Sequence, residues 1–228
     1  MKTKPASLLI RYMEFLIGLV IVAGGICLIT KAGLGTSPVS CVPFVISLKY
    51  TQISFGTWTF LMNVLFFAGE WLLLQKQFDR TQRIGQIPAS FVFGWMVDVW
   101  MNLLAGLQPQ SLWMKLIVFV FGCAVLGFGV VVEVAPDVLM VPADGFAQAI
   151  AIRLNKPLGT GKNIFDAALT SIGLLLCFLF FGRLNGIGVG TILAAVLVGR
   201  FVALFKAMLA SKTRSSDPGE EAMEPSGI

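Results

Sequence analysis

The sequence predicts an all-α membrane protein of six transmembrane helices, arranged as two inverted three-span repeats with one short interrupted or re-entrant helix in each. Three observations lead there: long runs without charge, basic residues gathered between those runs, and matched residues recurring about 104 positions apart. Of 228 residues 57% are hydrophobic and 13% charged, against roughly 25% charged in soluble domains. A mean hydropathy of +0.86 is more apolar surface than a soluble fold of this size can hide.

Six runs approach the ~20 apolar residues that a bilayer core demands of a helix. They are Leu9–Thr30, Phe55–Leu74, Ile87–Leu107, Leu112–Val134, Asn163–Gly182 and Ile187–Leu209. The first follows Lys2, Lys4 and Arg11 and has no small-residue cleavage site after it, so it reads as a retained span and not a signal peptide. Two further segments, 37–48 and 141–154, are too short to cross and are entered through Gly or Pro. If each returns to the side where it starts, the basic clusters around Lys4, Arg80, Lys156 and Arg214 share one face. The uncharged loop Gln108–Leu112 then lies on the other. The positive-inside rule therefore predicts a multi-pass protein of the bacterial inner membrane with both termini cytoplasmic. Residues 211–228 are polar, rich in Ser, Pro and Gly, and predict a disordered cytoplasmic tail.

The repeat divides the chain into a first half, 1–107, and a second, 108–210. Gly18 matches Gly122, Gly25 matches Gly129, Pro38 matches Pro142 and Ser40 matches Asp144, all 104 residues apart. Gly56-Thr57 matches Gly159-Thr160 and Asn63 matches Asp166 at 103, while Gly85 and Gly94 match Gly190 and Gly199 at 105. Three crossings per half return the second half upside down, the plan of many secondary transporters.

The helix breaks supply the candidate binding residues. Ser37-Pro38 reads as an N-cap followed by Pro at the first helical position, with Ser40 one turn in; Pro142-Ala143-Asp144 is its counterpart. Unbonded N–H groups at such helix starts favour an anionic group, and irregular backbone at membrane depth belongs where it lines a cavity. The competing reading makes both breaks capping turns at the membrane surface. Asn63 and Asp166 occupy matched positions on the following spans. A charge at a span centre costs at least ~2.5 kcal/mol, so Asp166 is the candidate for ion coupling unless it sits in the headgroup region beside Lys162. Arg200 and Asp98 are further intramembrane charges, and an Asp166–Arg200 or Asp98–Arg200 pair would be either structural or substrate-binding. Glu133 and Glu70 are also embedded in apolar context. With no histidine and four dispersed cysteines the sequence predicts no metal site, no catalytic residues and no cofactor.

The runs AGLGTSPVSCVPFVISL and SFGTWTFLMNVLFF, followed by VPADGFAQAIAIRL and GTGKNIFDAALTSIGLLL, resemble the bacterial YczE/YyaS-type membrane proteins and, distantly, the YitT-like family. The resemblance covers the chain up to about Phe205 and implies a multi-span architecture and a membrane location. Its pattern is a Gly-Leu-Gly turn with Pro and an acidic residue two positions later; Ser40 departs from it, and Asp144 keeps it. The function expected is secondary transport of a small polar or anionic organic solute, with a non-transporting membrane scaffold as the alternative. An enzyme is not expected. The expected partners are the lipid bilayer and a small solute, with no nucleic acid, and a homo-oligomer or membrane partner stays open.

Overall fold

The computed structural model describes residues 7–75 and 85–215, with side chains as far as Leu209. Among these residues there are eight helices and no strand: α1 Leu8–Lys31, α2 Pro38–Lys49, α3 Phe55–Leu74, α4 Gln86–Leu103, α5 Leu112–Val134, α6 Pro142–Arg153, α7 Leu158–Phe181 and α8 Val189–Ser215. Five of them, α1, α3, α5, α7 and α8, are long and apolar enough to cross a membrane. The protein is thus a helical membrane protein. α4, expected as a span to Leu107, stops at Leu103; it has 18 residues and carries Gln86, Asp98 and Asn102.

Local chemistry sets the helix ends. Ser54 and Ser111 precede α3 and α5, and their hydroxyls accept the backbone N–H of Thr57 and Met114. Pro38 and Pro142 open α2 and α6, where a missing N–H breaks no helical bond. Gly182 ends α7 in the left-handed conformation at φ 64°. α7 begins five residues before the expected Asn163, which brings Lys162 inside the helix. α8 runs on to Ser215 past the end of the apolar run at Leu209. The rest of the expected tail, from 216, and the basic loop at 76–84 lie outside the described residues.

α1 and α5 form the central pair. A Cβ on Gly25 would lie 2.5 Å from the backbone N of Leu126, and one on Gly122 2.8 Å from that of Ile29. Likewise Gly129 abuts Val22, and Gly18 abuts Glu133. The partner numbers fall as the α1 numbers rise, so the helices run antiparallel, their glycines permitting backbone approach as small residues do in membrane bundles. Arg11 near the start of α1 closes one end, its guanidinium donating to the Pro136 carbonyl at 2.8 Å and the Asp137 carbonyl at 2.9 Å just past α5.

Two large apolar cores organise the helices, beside a smaller cluster of Phe15, Leu19 and Ala89. One joins Ala23, Cys27 and Ile29 of α1 to Val97 of α4 and Phe119 and Cys123 of α5. The other joins Val42 and Val45 of α2 to Phe66 of α3, Ala147 of α6 and Phe165 and Leu169 of α7. Within it Phe66 meets Phe165 edge to face at 5.0 Å. α3 and α4 approach closely through Gly56 and Gly94; a Cβ on Gly94 would lie 2.5 Å from the Gly56 carbonyl oxygen. α7 and α8 make no comparable approach.

Candidate functional site

A cavity of about 360 Å³ lies between the two cores, and all eight helices contribute to its wall. That size falls within the ~300–1,000 Å³ usual for small-molecule sites. One end is apolar, lined by Leu19, Val22 and Ile26 of α1, Leu126 and Val130 of α5 and Val198 of α8. The polar end is built where the two short helices begin.

α2 contributes Ser37, Ser40 and Pro43 to the lining, and α6 contributes Ala143 and Asp144. Ser37 sits at the N-cap, but its hydroxyl makes no capping bond; it donates to the Ser40 hydroxyl at 3.0 Å. Pro43, inside α2, lacks the N–H that would bond the Val39 carbonyl, and both residues line the cavity. The turn before α2 is anchored by close backbone contact: the Gly190 N–H donates to the Leu34 carbonyl at 3.1 Å, and the Thr36 N–H to the Thr191 hydroxyl at 3.2 Å. Gly33, at φ 72°, supplies the left-handed residue this turn needs.

Four ionisable groups meet at the polar end. Asp144 in the first turn of α6 pairs with Lys162 of α7, Nζ to Oδ1 at 2.6 Å. Asp166 lies one turn beyond Lys162 on the same helix face, and its Oδ1 is buried with no hydrogen-bond partner. Glu133, at the end of α5, is 6% exposed and makes no hydrogen bond through its side chain among the described residues. Asn63 completes this end from α3: its amide N–H donates to the Thr59 carbonyl at 3.1 Å, leaving its own carbonyl oxygen for the cavity.

Of the residues singled out in the sequence, Ser37, Ser40, Asn63, Asp144 and Asp166 therefore share one cavity wall. Pro142 is buried at the start of α6, behind that wall. Asp98 lies elsewhere, accepting the Ser54 hydroxyl at 2.5 Å and the Gly56 N–H at 2.7 Å to hold the start of α3. Arg200 is exposed on α8 and pairs with neither Asp98 nor Asp166 among the described residues. Glu70 is fully buried, its carboxylate against Gly145 of α6.

Lys162, Asn163 and the cavity-facing role of Glu133 escape a reading by apolar runs, because Lys and Asn mark the end of a run. The repeat register holds the missing signal: Lys162 matches Thr59, well inside α3. Among the described residues no group of three or more His, Cys, Asp or Glu is disposed to hold a metal ion, and the cysteines are free and buried.

The chain is 28% identical over 197 residues to the uncharacterized protein YyaS of Bacillus subtilis, covering 86% of this chain and 92% of that protein. It is 26% identical over 194 residues to the uncharacterized membrane protein YczE of the same organism, covering 85% and 84%. No solved structure matches it. The model of one family of unknown function, DUF6198, matches residues 9–207, and the chain belongs to that family.

Proposed function

We propose that this protein is a secondary transporter of a small organic solute in the bacterial inner membrane, and not an enzyme. In this reading α4 is the sixth span, both termini are cytoplasmic, and two inverted three-span halves alternate access to the cavity. The observation that carries it is the shared cavity: the starts of both interrupted segments, α2 and α6, line one small-molecule-sized space together with Asn63 and Asp166. Capping turns lying separately at the membrane surface would not meet there.

The contacts between the halves support the inversion. Gly18 abuts Glu133, and adding 104 to the first while subtracting 104 from the second gives Gly122 and Ile29, which are also in contact. The same operation turns Gly25–Leu126 into Gly129–Val22. At an offset of 105, Gly190–Leu34 turns into Gly85–Leu139. Reciprocal contacts of this kind are what a two-fold axis between antiparallel halves produces.

One contact is not reciprocated, and it suits a transporter caught open to one side. Gly56 and Gly94 close α3 onto α4, whereas a Cβ on either counterpart, Gly159 of α7 or Gly199 of α8, would meet nothing within 4 Å. The exposed lining residues, Asn163 on α7 with Ala195 and Gly199 on α8, flank that gap. Closing the second pair while opening the first would present the cavity to the opposite side.

The test is solute counterflow into proteoliposomes loaded with a panel of amines, carboxylates and sugars. At least one class should exchange, and Asp144→Asn or Asp166→Asn should cut that exchange tenfold or more. A scaffold would exchange no solute, with both substitutions silent.

A further inference from the structure

We propose that the cavity binds an organic cation, a protonated amine on an apolar body, with its head between Glu133 and Asp166. The inference rests on the cavity being the solute site and narrows the solute to a charge class opposite to the anion that bare helix starts favour.

The charge around the cavity decides this. Among the described residues Glu133, Asp144 and Asp166 face a single cation, Lys162, and Lys162 is already engaged with Asp144 at 2.6 Å. The other helices of the wall bring no charge: α1 presents Val22 and Ile26, α2 Ser37 and Ser40, α3 Thr59 and Asn63, α4 Phe93, and α8 Ala194 and Val198. Two carboxyl groups are thus left facing the same space without a cationic partner of their own. Glu133 is more than nine-tenths buried and has no hydrogen bond, and Asp166 Oδ1 is buried without one. Buried carboxylates without a partner are costly, so a cation supplied from outside would gain by neutralising them.

Two neutral acceptors point the same way. The Val39 carbonyl, which Pro43 has no N–H to bond, and the carbonyl oxygen of Asn63 are acceptors, suited to the N–H donors of an ammonium group and not to a carboxylate. At the α6 start, where a helix N-terminus would favour an anion, Asp144 already occupies the first turn. Beyond the head, the apolar end formed by Leu19, Val22, Leu126 and Val130 suits a hydrocarbon or aromatic body.

The experiment compares benzylammonium, phenylacetate and benzyl alcohol, similar in shape and different in charge, by titration calorimetry on the full chain in lipid nanodiscs. Benzylammonium should bind saturably and at least tenfold more tightly than either of the others. Glu133→Gln and Asp166→Asn should each weaken it tenfold or more, and Lys162→Gln, which removes the internal competitor, should tighten it. Equal or tighter binding of phenylacetate, equal binding of all three, no binding of benzylammonium, or weaker binding in Lys162→Gln would each overturn the proposal. The three-probe comparison on the unaltered chain stands even if a variant fails to fold. Saturable benzylammonium binding without exchange across proteoliposomes would keep this inference and overturn the transport reading.

Discussion

Gly56 of α3 lies against the backbone carbonyl of Gly94 on α4, whereas their counterparts Gly159 and Gly199 have open space where a Cβ would go. Substitution should therefore act differently in the two halves. Gly56→Ala drives a methyl group into backbone and should lower stability by about 1–3 kcal/mol, as overpacking does. Gly199→Ala meets nothing and should leave stability unchanged or raise it by up to ~1 kcal/mol through helix propensity. Both should slow solute exchange, because each obstructs one of the two closed arrangements. Thermal unfolding in detergent, run beside counterflow, separates the effects.

The α1–α5 pair should tolerate no added bulk. In Gly25→Val the new side chain would overlap the Leu126 backbone, and the other close approaches, at Gly18, Gly122 and Gly129, prevent the helices from separating locally. A stability loss of about 3 kcal/mol is expected, at the upper end for overpacking. Unfolding midpoints within a degree of the parent would contradict the packing described for this pair.

Asp98 should prove structural. Its carboxylate holds the Ser54 hydroxyl and the Gly56 N–H, so Asp98→Ala removes support from the start of α3 and should cost about 0.5–2 kcal/mol, as lost helix caps do. Solute affinity measured on the folded fraction should stay within twofold of the parent. A tenfold loss of affinity at unchanged stability would move Asp98 into the binding machinery.

The four charges of the cavity should differ in what they do for stability. Asp144→Asn leaves Lys162 without its partner, but both side chains are about one-third exposed, 34% and 36%, so solvent limits the loss to about 1 kcal/mol. Glu133→Gln replaces a carboxyl that has no hydrogen bond by a neutral amide of the same shape and should be neutral or stabilising. Midpoints of thermal unfolding check both, and a destabilised Glu133→Gln would mean that the carboxyl is held by an interaction absent from this arrangement.

Much of the fold is legible in the sequence, because the bilayer imposes a coarse rule. Runs without charge become helices, and α3 and α5 keep the bounds Phe55–Leu74 and Leu112–Val134 read from apolarity alone. Pro38 and Pro142 announce the two short helices with equal clarity. The start of α7 is misread because Pro157 opens the helix while polar residues still follow, so that Lys162 and Asn163 look like loop and are cavity wall. Arg200 and Asp98 illustrate the other limit. An isolated charge in an apolar run says that something must accommodate it, but not whether that is a helix start, as for Asp98, or an outward-facing position, as for Arg200. The charge class of the cavity is likewise invisible in the chain, since Glu133, Asp144 and Asp166 come together only when α5, α6 and α7 pack.

Distance measurement between spin labels in nanodiscs tests most directly whether two matched halves exchange conformations around one cavity. Leu61 and Trp95 are exposed on α3 and α4, and Ile164 and Arg200 are their exposed counterparts on α7 and α8. Each pair should give a short and a long distance population, and benzylammonium should shift the two pairs in opposite directions, one gaining the short distance as the other loses it. A single unchanging distance in both pairs, with or without the cation, would contradict alternating access.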